Sequence, residues 1–134
     1  MDSFLTDTQI KVLKLRKKGL TQEEIAKMMN TSRANISMIE KRAKENVEKA
    51  RNTLRIYNDI ISPVKLTIKE GVDVFDIPKM VFKTSDENDI HVKYSSLEIL
   101  DLIHKNVKDN INKRIVKKPF IINILEDGEL SFIE

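Results

Sequence analysis

The sequence predicts an α+β chain: an N-terminal three-helix domain with a tight helix-turn-helix joint and a long third helix, then a small C-terminal two-layer domain ordered β-α-β-α-β-β. Three observations carry this. Residues 21–42, TQEEIAKMMNTSRANISMIEKR, read as two short capped helices joined by a turn. From Ser32 to Tyr57 no Gly or Pro interrupts the apolar residues Ile36, Ile39, Ala43, Val47, Ala50, Leu54 and Tyr57, spaced by three or four. Beyond Ser62-Pro63 the spacing changes to the alternation of half-buried strands. The expected domains are residues 1–60 and 61–134.

The first helix is expected over about residues 7 to 18, where Thr6 with Gln9 forms a capping box, cations close the last turn and Gly19 stops it. Thr21 with Glu24 repeats the box, so a second helix begins near Gln22, with Ile25, Met28 and Met29 at helical spacing and Ala26 small enough for a close crossing. Asn30 occupies the turn position usually held by glycine, because Asn tolerates positive φ. Ser32 caps the third helix. A rod of about 39 Å over Ser32 to Tyr57 is too long for a small domain to cover. Its distal half must therefore pack on the C-terminal domain or on a second copy, and the copy is favoured because short DNA-reading modules gain useful affinity from two half-sites.

In the C-terminal half, VKLTIKEG alternates as a strand ending at Gly71, and Asp76 with Pro78 starts a short helix carrying Met80, Val81 and Phe82 inward. The acidic stretch 85–89 leads into IHVKY, residues 90–94, a second expected strand. Ser95 or Ser96 caps a helix with Leu97, Leu100, Leu102, Ile103 and Val107. FIINIL after Pro119 and LSFI after Asp127-Gly128 make a closing hairpin.

Charge divides the chain in the same place. Residues 1–58 hold 13 Lys and Arg against 7 Asp and Glu, a net of +6, whereas residues 59–134 hold 11 against 14, a net of −3. A polyanion attracts the first half and repels the second. With no cysteine, disulfides, iron–sulfur clusters, thiolate zinc sites and Cys nucleophiles are excluded. No apolar run approaches a membrane span and the N-terminus lacks a signal-peptide pattern, so a cytoplasmic protein without membrane contact is expected.

Enzyme chemistry finds no footing. Three glycines in the whole chain build neither a P-loop nor a dinucleotide fingerprint. His91 and His104 lie on different elements without metal-ligand spacing, and Asp86, Glu87 and Asp89 lack the spacing and turn glycine of a calcium loop. No catalytic residue, cofactor or metal is expected. The candidate site is the outward face of the third helix. Arg33, Ala34, Asn35, Ser37 and Met38 are the candidate base contacts: Arg33 suits guanine or a phosphate, Asn35 can bridge adenine N6 and N7, and Met38 can touch a thymine methyl. Thr21, Gln22, Ser32, Lys41, Arg42 and Lys44 are the candidate phosphate contacts that set register. Arg16, Lys17 and Lys18 read equally well as a solvated helix end or as further phosphate contacts.

These residues carry a likeness. Residues 5–44 resemble region 4 of bacterial sigma factors and the related LuxR-type helix-turn-helix, through the Gly19-Leu20-Thr21 joint, the Glu24-Ile25-Ala26 run and the third-helix pattern filled by Arg33, Ile36, Ile39, Glu40 and Ala43. Thr31 stands where that pattern usually has an apolar residue. The whole chain more narrowly resembles the Tfx family of archaeal DNA-binding regulators, through this motif, the Gly71-to-Pro78 segment and the hairpin around Asp127-Gly128. The resemblance implies a transcriptional regulator.

The expected function is therefore sequence-specific DNA binding, with the helix that starts at Ser32 in the major groove of duplex DNA, in a homodimer. RNA polymerase or an effector is a further candidate partner, at the C-terminal domain. The alternative is a transcription adaptor whose motif contacts protein, which unlabelled duplex would fail to compete at low salt. A nuclease or recombinase fragment lacks a carboxylate cluster beside a base or nucleophile.

Overall fold

The computed structural model describes residues 1–134. They form two compact units, Met1–Thr53 and Leu54–Glu134. In the first, α1 spans Asp7–Lys17, α2 spans Gln22–Met28, and α3 begins at Arg33 and runs through Ile61. The starts follow from reciprocal caps: the Gln9 amide donates to Thr6 Oγ1 at 3.1 Å while Thr6 donates back to Gln9 Oε1, and Thr21 with Glu24 repeats this. Asn30 makes the turn at φ 54, and the Ser32 hydroxyl accepts from the Asn35 amide at 3.1 Å to open α3. With 29 residues α3 is about 43 Å long.

Val12, Ile25, Ala26 and Ile36 form the core of this unit, with Leu15, Leu20, Met29 and Ile39 packed around it. Met28, expected inside, is 62% exposed. Ile25 in the short α2 and Met29 at its C-cap already occupy the inward line, one turn apart, and Met28 as the last helical residue falls beside that line.

In the C-terminal unit β1 (Val64–Ile68), β4 (Phe120–Ile124) and β5 (Leu130–Ile133) form an antiparallel sheet in the order β1-β4-β5, with Leu66 opposite Ile122 and Ile122 opposite Phe132. α4 (Ile77–Glu87) and α5 (Ser96–Val107) pack against one face of it, giving two layers around Ile68, Ile77, Val81, Ile99, Ile103, Phe120, Ile122 and Ile124. A two-stranded ribbon, β2 (Ile111–Asn112) with β3 (Ile115–Val116), lies between α5 and β4 in the chain. Asn123 is fully buried on the central strand and donates to Asp59 Oδ1 at 2.9 Å, while Lys65 Nζ reaches the same carboxylate oxygen at 2.7 Å. The end of α3 is tied to β1 and β4 in this way, and the Lys65 and Asn123 hydrogen bonds hold the Asp59 carboxyl below its usual range.

Two local expectations change. Residues 90–94 do not pair as a strand; this stretch lies outside the sheet, and its one backbone bond to β5's hairpin runs from the Lys93 amide to the Gly128 carbonyl at 3.1 Å. Its alternation still decides burial, since Val92 is 6% exposed and packs in the core. Asp76 makes no side-chain cap; Asp73, three residues earlier, accepts from the Phe75 amide and starts the 3₁₀ turn Val74–Asp76 that leads into α4. The closing hairpin turns at Leu125 to Gly128, with Gly128 at φ 88 donating to the Leu125 carbonyl, the glycine-requiring bulge of a three-residue loop.

Candidate nucleic-acid interface

The first turns of α3 sort their side chains by helical phase. Ile36, Glu40 and Ala43 are buried and Ile39 is partly buried, so this stripe faces α1 and α2. Arg33, Ala34, Asn35, Ser37, Met38, Lys41, Arg42 and Lys44 are all exposed. At about 100° per residue, Ala34, Met38 and Lys41 stand opposite the buried stripe, flanked by Ser37 and Arg42. Arg33 and Lys44 lie along the edge next to Glu40, and Asn35 along the other edge.

The local bonds separate committed side chains from free ones. Asn35 Nδ2 donates to Thr31 Oγ1 at 3.0 Å, so its amide is bound back into the turn. Thr31 thus closes the corner with a polar contact. The hydroxyls of Thr21 and Ser32 are caps, each accepting an amide at 3.1 Å. Arg33, Lys41 and Arg42 take part in none of the ion pairs of this unit. An open hollow of about 300 Å³ beside the leading turn is lined by Arg16, Thr21, Gln22, Glu23 and Arg33.

Below this surface sits a buried acid. Glu40, with 6% exposure, accepts from Arg16 Nε on α1 at 2.9 Å and from Gln22 Nε2 on α2 at 2.8 Å, and Lys44 Nζ lies 3.7 Å away. Arg16 also donates to the Leu20 carbonyl at 3.0 Å. One carboxylate therefore joins all three helices and fixes the pose of α3. Burial pushes the Glu40 carboxyl up, but the bonds from Gln22 and Arg16, with the Lys44 and Arg16 charges, outweigh it and leave it below the ordinary value. Gln22, expected on a phosphate, has its amide bound to Glu40.

Residues 3–49 match the model described as sigma-70, region 4, and residues 50–132 match the model described as the C-terminal part of the DNA-binding protein TFX. The chain belongs to the Tfx family. A candidate transcriptional regulatory protein of Methanocaldococcus jannaschii is 67% identical over 130 residues, covering 97% of this chain and 95% of the relative. Another, of Methanococcus vannielii, is 62% identical over 130 residues, covering 97% and 92%. The DNA-binding protein Tfx of Methanothermobacter thermautotrophicus is 38% identical over 128 residues, covering 96% and 93%. The Tfx family is one of DNA-binding regulators of transcription rather than of enzymes.

In this Tfx-family chain Glu40 is the residue that sequence reasoning did not single out for a role. The signal was present: Glu40 falls between Ile36 and Ala43 on the inward stripe, where a carboxylate is rare unless paired. Arg16 belongs to the same arrangement, bound to Glu40 through Nε. Among the described residues no group of three or more His, Asp and Glu is placed to hold a metal, and no helix is long and apolar enough to cross a membrane.

Proposed function

We propose that this chain is a sequence-specific DNA-binding regulator of transcription that lays the leading turns of α3 in the major groove, acting as a homodimer in the cytoplasm. The observation that carries the reading is the outward face of α3: an uncharged pair at Ala34 and Met38, cations without ion-pair partners at Arg33, Lys41 and Arg42, and a buried clamp behind it. A helix in the groove reads base edges with polar and apolar side chains and holds phosphates with cations at its margins. Ser37 and Met38 supply a hydroxyl and a thymine-methyl contact. Lys41, Arg42 and Lys44 set the register, with Thr21, Gln22 and Ser32 at the two helix starts near the backbone. Asn35 donates one Nδ2 hydrogen to Thr31 and keeps its second hydrogen and Oδ1 for an adenine edge.

The dimer is supported by the far end of α3. Leu54, Tyr57 and Ile61 continue the heptad begun by Val47 and Ala50 and remain 61%, 57% and 52% exposed. A second copy of this helix offers a matching stripe, and two copies offer two reading heads.

The test uses a duplex selected for tight binding and a scrambled one. Arg33→Ala is expected to cost about 1–3 kcal/mol on the selected duplex and to relax one base preference. Lys41→Ala is expected to weaken both duplexes alike and to flatten the salt dependence by about one unit. Unchanged binding of both duplexes by both variants would remove α3 from the groove.

A further inference from the structure

The acidic C-terminal half contains a cationic hollow. It is about 210 Å³ in volume, with Leu100, Ile103 and Ile111 as its apolar floor and His104, Lys108 and Lys113 at its rim. No carboxylate lines it, although this half of the chain carries a net charge of −3. Lys108 and Lys113 take part in none of the chain's ion pairs, as is true of Lys69, Lys79, Lys83, Lys117 and Lys118 in the same unit, but these two alone line an apolar hollow together.

The turn that delivers Lys113 is unusual. Asn112 pairs with Ile115, so Lys113 and Arg114 form a two-residue hairpin loop, and Lys113 sits at φ 59, where such loops ordinarily place Gly or Asn. Arg114 is pinned away from the hollow: its Nε donates to Asp73 Oδ2 at 3.0 Å and its guanidinium lies 4.7 Å from the centre of the Phe75 ring. The main chain holds the ribbon in place as well, since the Val74 amide donates to the Arg114 carbonyl at 2.7 Å and the Val116 amide to the Val72 carbonyl at 2.9 Å. Of two adjacent basic residues, one is neutralised and stacked, and the other is held in a strained conformation on the rim of an apolar hollow. The hairpin loop demands the positive φ, and its consequence is that the Lys113 position is fixed at the mouth of the hollow.

We infer that this hollow binds a small amphipathic organic anion, a short apolar body on Leu100, Ile103 and Ile111 with its carboxylate between Lys108 and Lys113. The volume lies below the roughly 300–1,000 Å³ of drug-sized sites, which restricts the ligand to a short chain or a single small ring. His104 offers a further ring nitrogen at the same rim. The site makes no use of the groove-reading face, so it stands or falls independently of the proposed DNA contact.

The test is a titration of the full chain, labelled at isoleucine methyls, with hexanoate. Saturable shifts at Ile103 and Ile111 are expected, with hexan-1-ol and inorganic phosphate each binding about tenfold more weakly, since one lacks the charge and the other the apolar body. Lys113→Gly is the informative variant, because glycine is at ease at positive φ and the fold is kept or steadied while the charge is lost. It should weaken hexanoate by about tenfold, as should Lys108→Ala, while Lys118→Ala should leave it unchanged. No saturable shift up to about 10 mM hexanoate, equal binding of hexan-1-ol or phosphate, or wild-type affinity in Lys113→Gly would overturn the assignment.

Discussion

Replacing Glu40 by alanine removes the one side chain that α1, α2 and α3 share. Two hydrogen bonds to a charged group are lost, from Arg16 Nε at 2.9 Å and Gln22 Nε2 at 2.8 Å, each worth about 1.5–3 kcal/mol at full strength. The sum overstates the effect, because the Arg16 side chain is 39% exposed and recovers water, and because the variant no longer desolvates a carboxylate. A loss of about 2–3 kcal/mol remains, large for a unit of this size. The chain has no Trp, and Tyr57 and Tyr94 both lie outside Met1–Thr53, so intrinsic fluorescence is blind to the change. Amide hydrogen exchange at Val12 and Ala43 reads it: protection is expected to fall about 30- to 150-fold, with β4 unaffected. Glu40→Gln keeps the shape and one acceptor and should lose about half as much free energy. Protection in Glu40→Ala within about twofold of wild type would refute the clamp, since that corresponds to less than half a kcal/mol.

The Glu40 carboxyl is held below its ordinary 4.5, so the unfolded chain takes up that proton more readily; the stabilisation is complete above about pH 5 and disappears as pH falls through the lowered folded value, a slope that Glu40→Gln should abolish in denaturation followed by exchange. At Gly128 a Cβ would lie 2.0 Å from the His91 carbonyl oxygen with φ at +88, and Gly128→Ala should cost at least about 2 kcal/mol in urea denaturation followed by tyrosine fluorescence. Leu54→Ser with Tyr57→Ser should convert a dimer to a monomer in analytical ultracentrifugation and leave the helical circular dichroism of each subunit unchanged; a wild-type sedimentation coefficient in the double variant would reject the α3 seam as the interface.

Much of this architecture was legible because short-range chemistry decides it. Thr6, Thr21, Ser32 and Ser95 all cap the helices their sequences announce, and Asn30 takes the positive φ that its turn requires. The outward set on α3 was legible for the same reason, since a period of 3.6 fixes which residues share a face. Long-range pairings were not. Alternation in residues 90–94 correctly marks Val92 as buried, but it cannot tell whether a strand partner exists, and here the sheet ends at β5. The two-residue strands of the β2–β3 ribbon are too short to leave a periodic trace. Arg16 and Gln22 read as surface groups until Glu40, 24 and 18 residues away, is brought beneath them.

The claim that α3 enters the major groove is tested most directly by methylation interference on a selected duplex. Dimethyl sulfate marks guanine N7 in the major groove and adenine N3 in the minor groove, so the two faces are scored in one experiment. Loss of binding on guanine N7 methylation, with tolerance of adenine N3 methylation and relief of one guanine position in Arg33→Ala, is the predicted result. Interference confined to adenine N3, or an Arg33→Ala pattern identical to wild type, would contradict it.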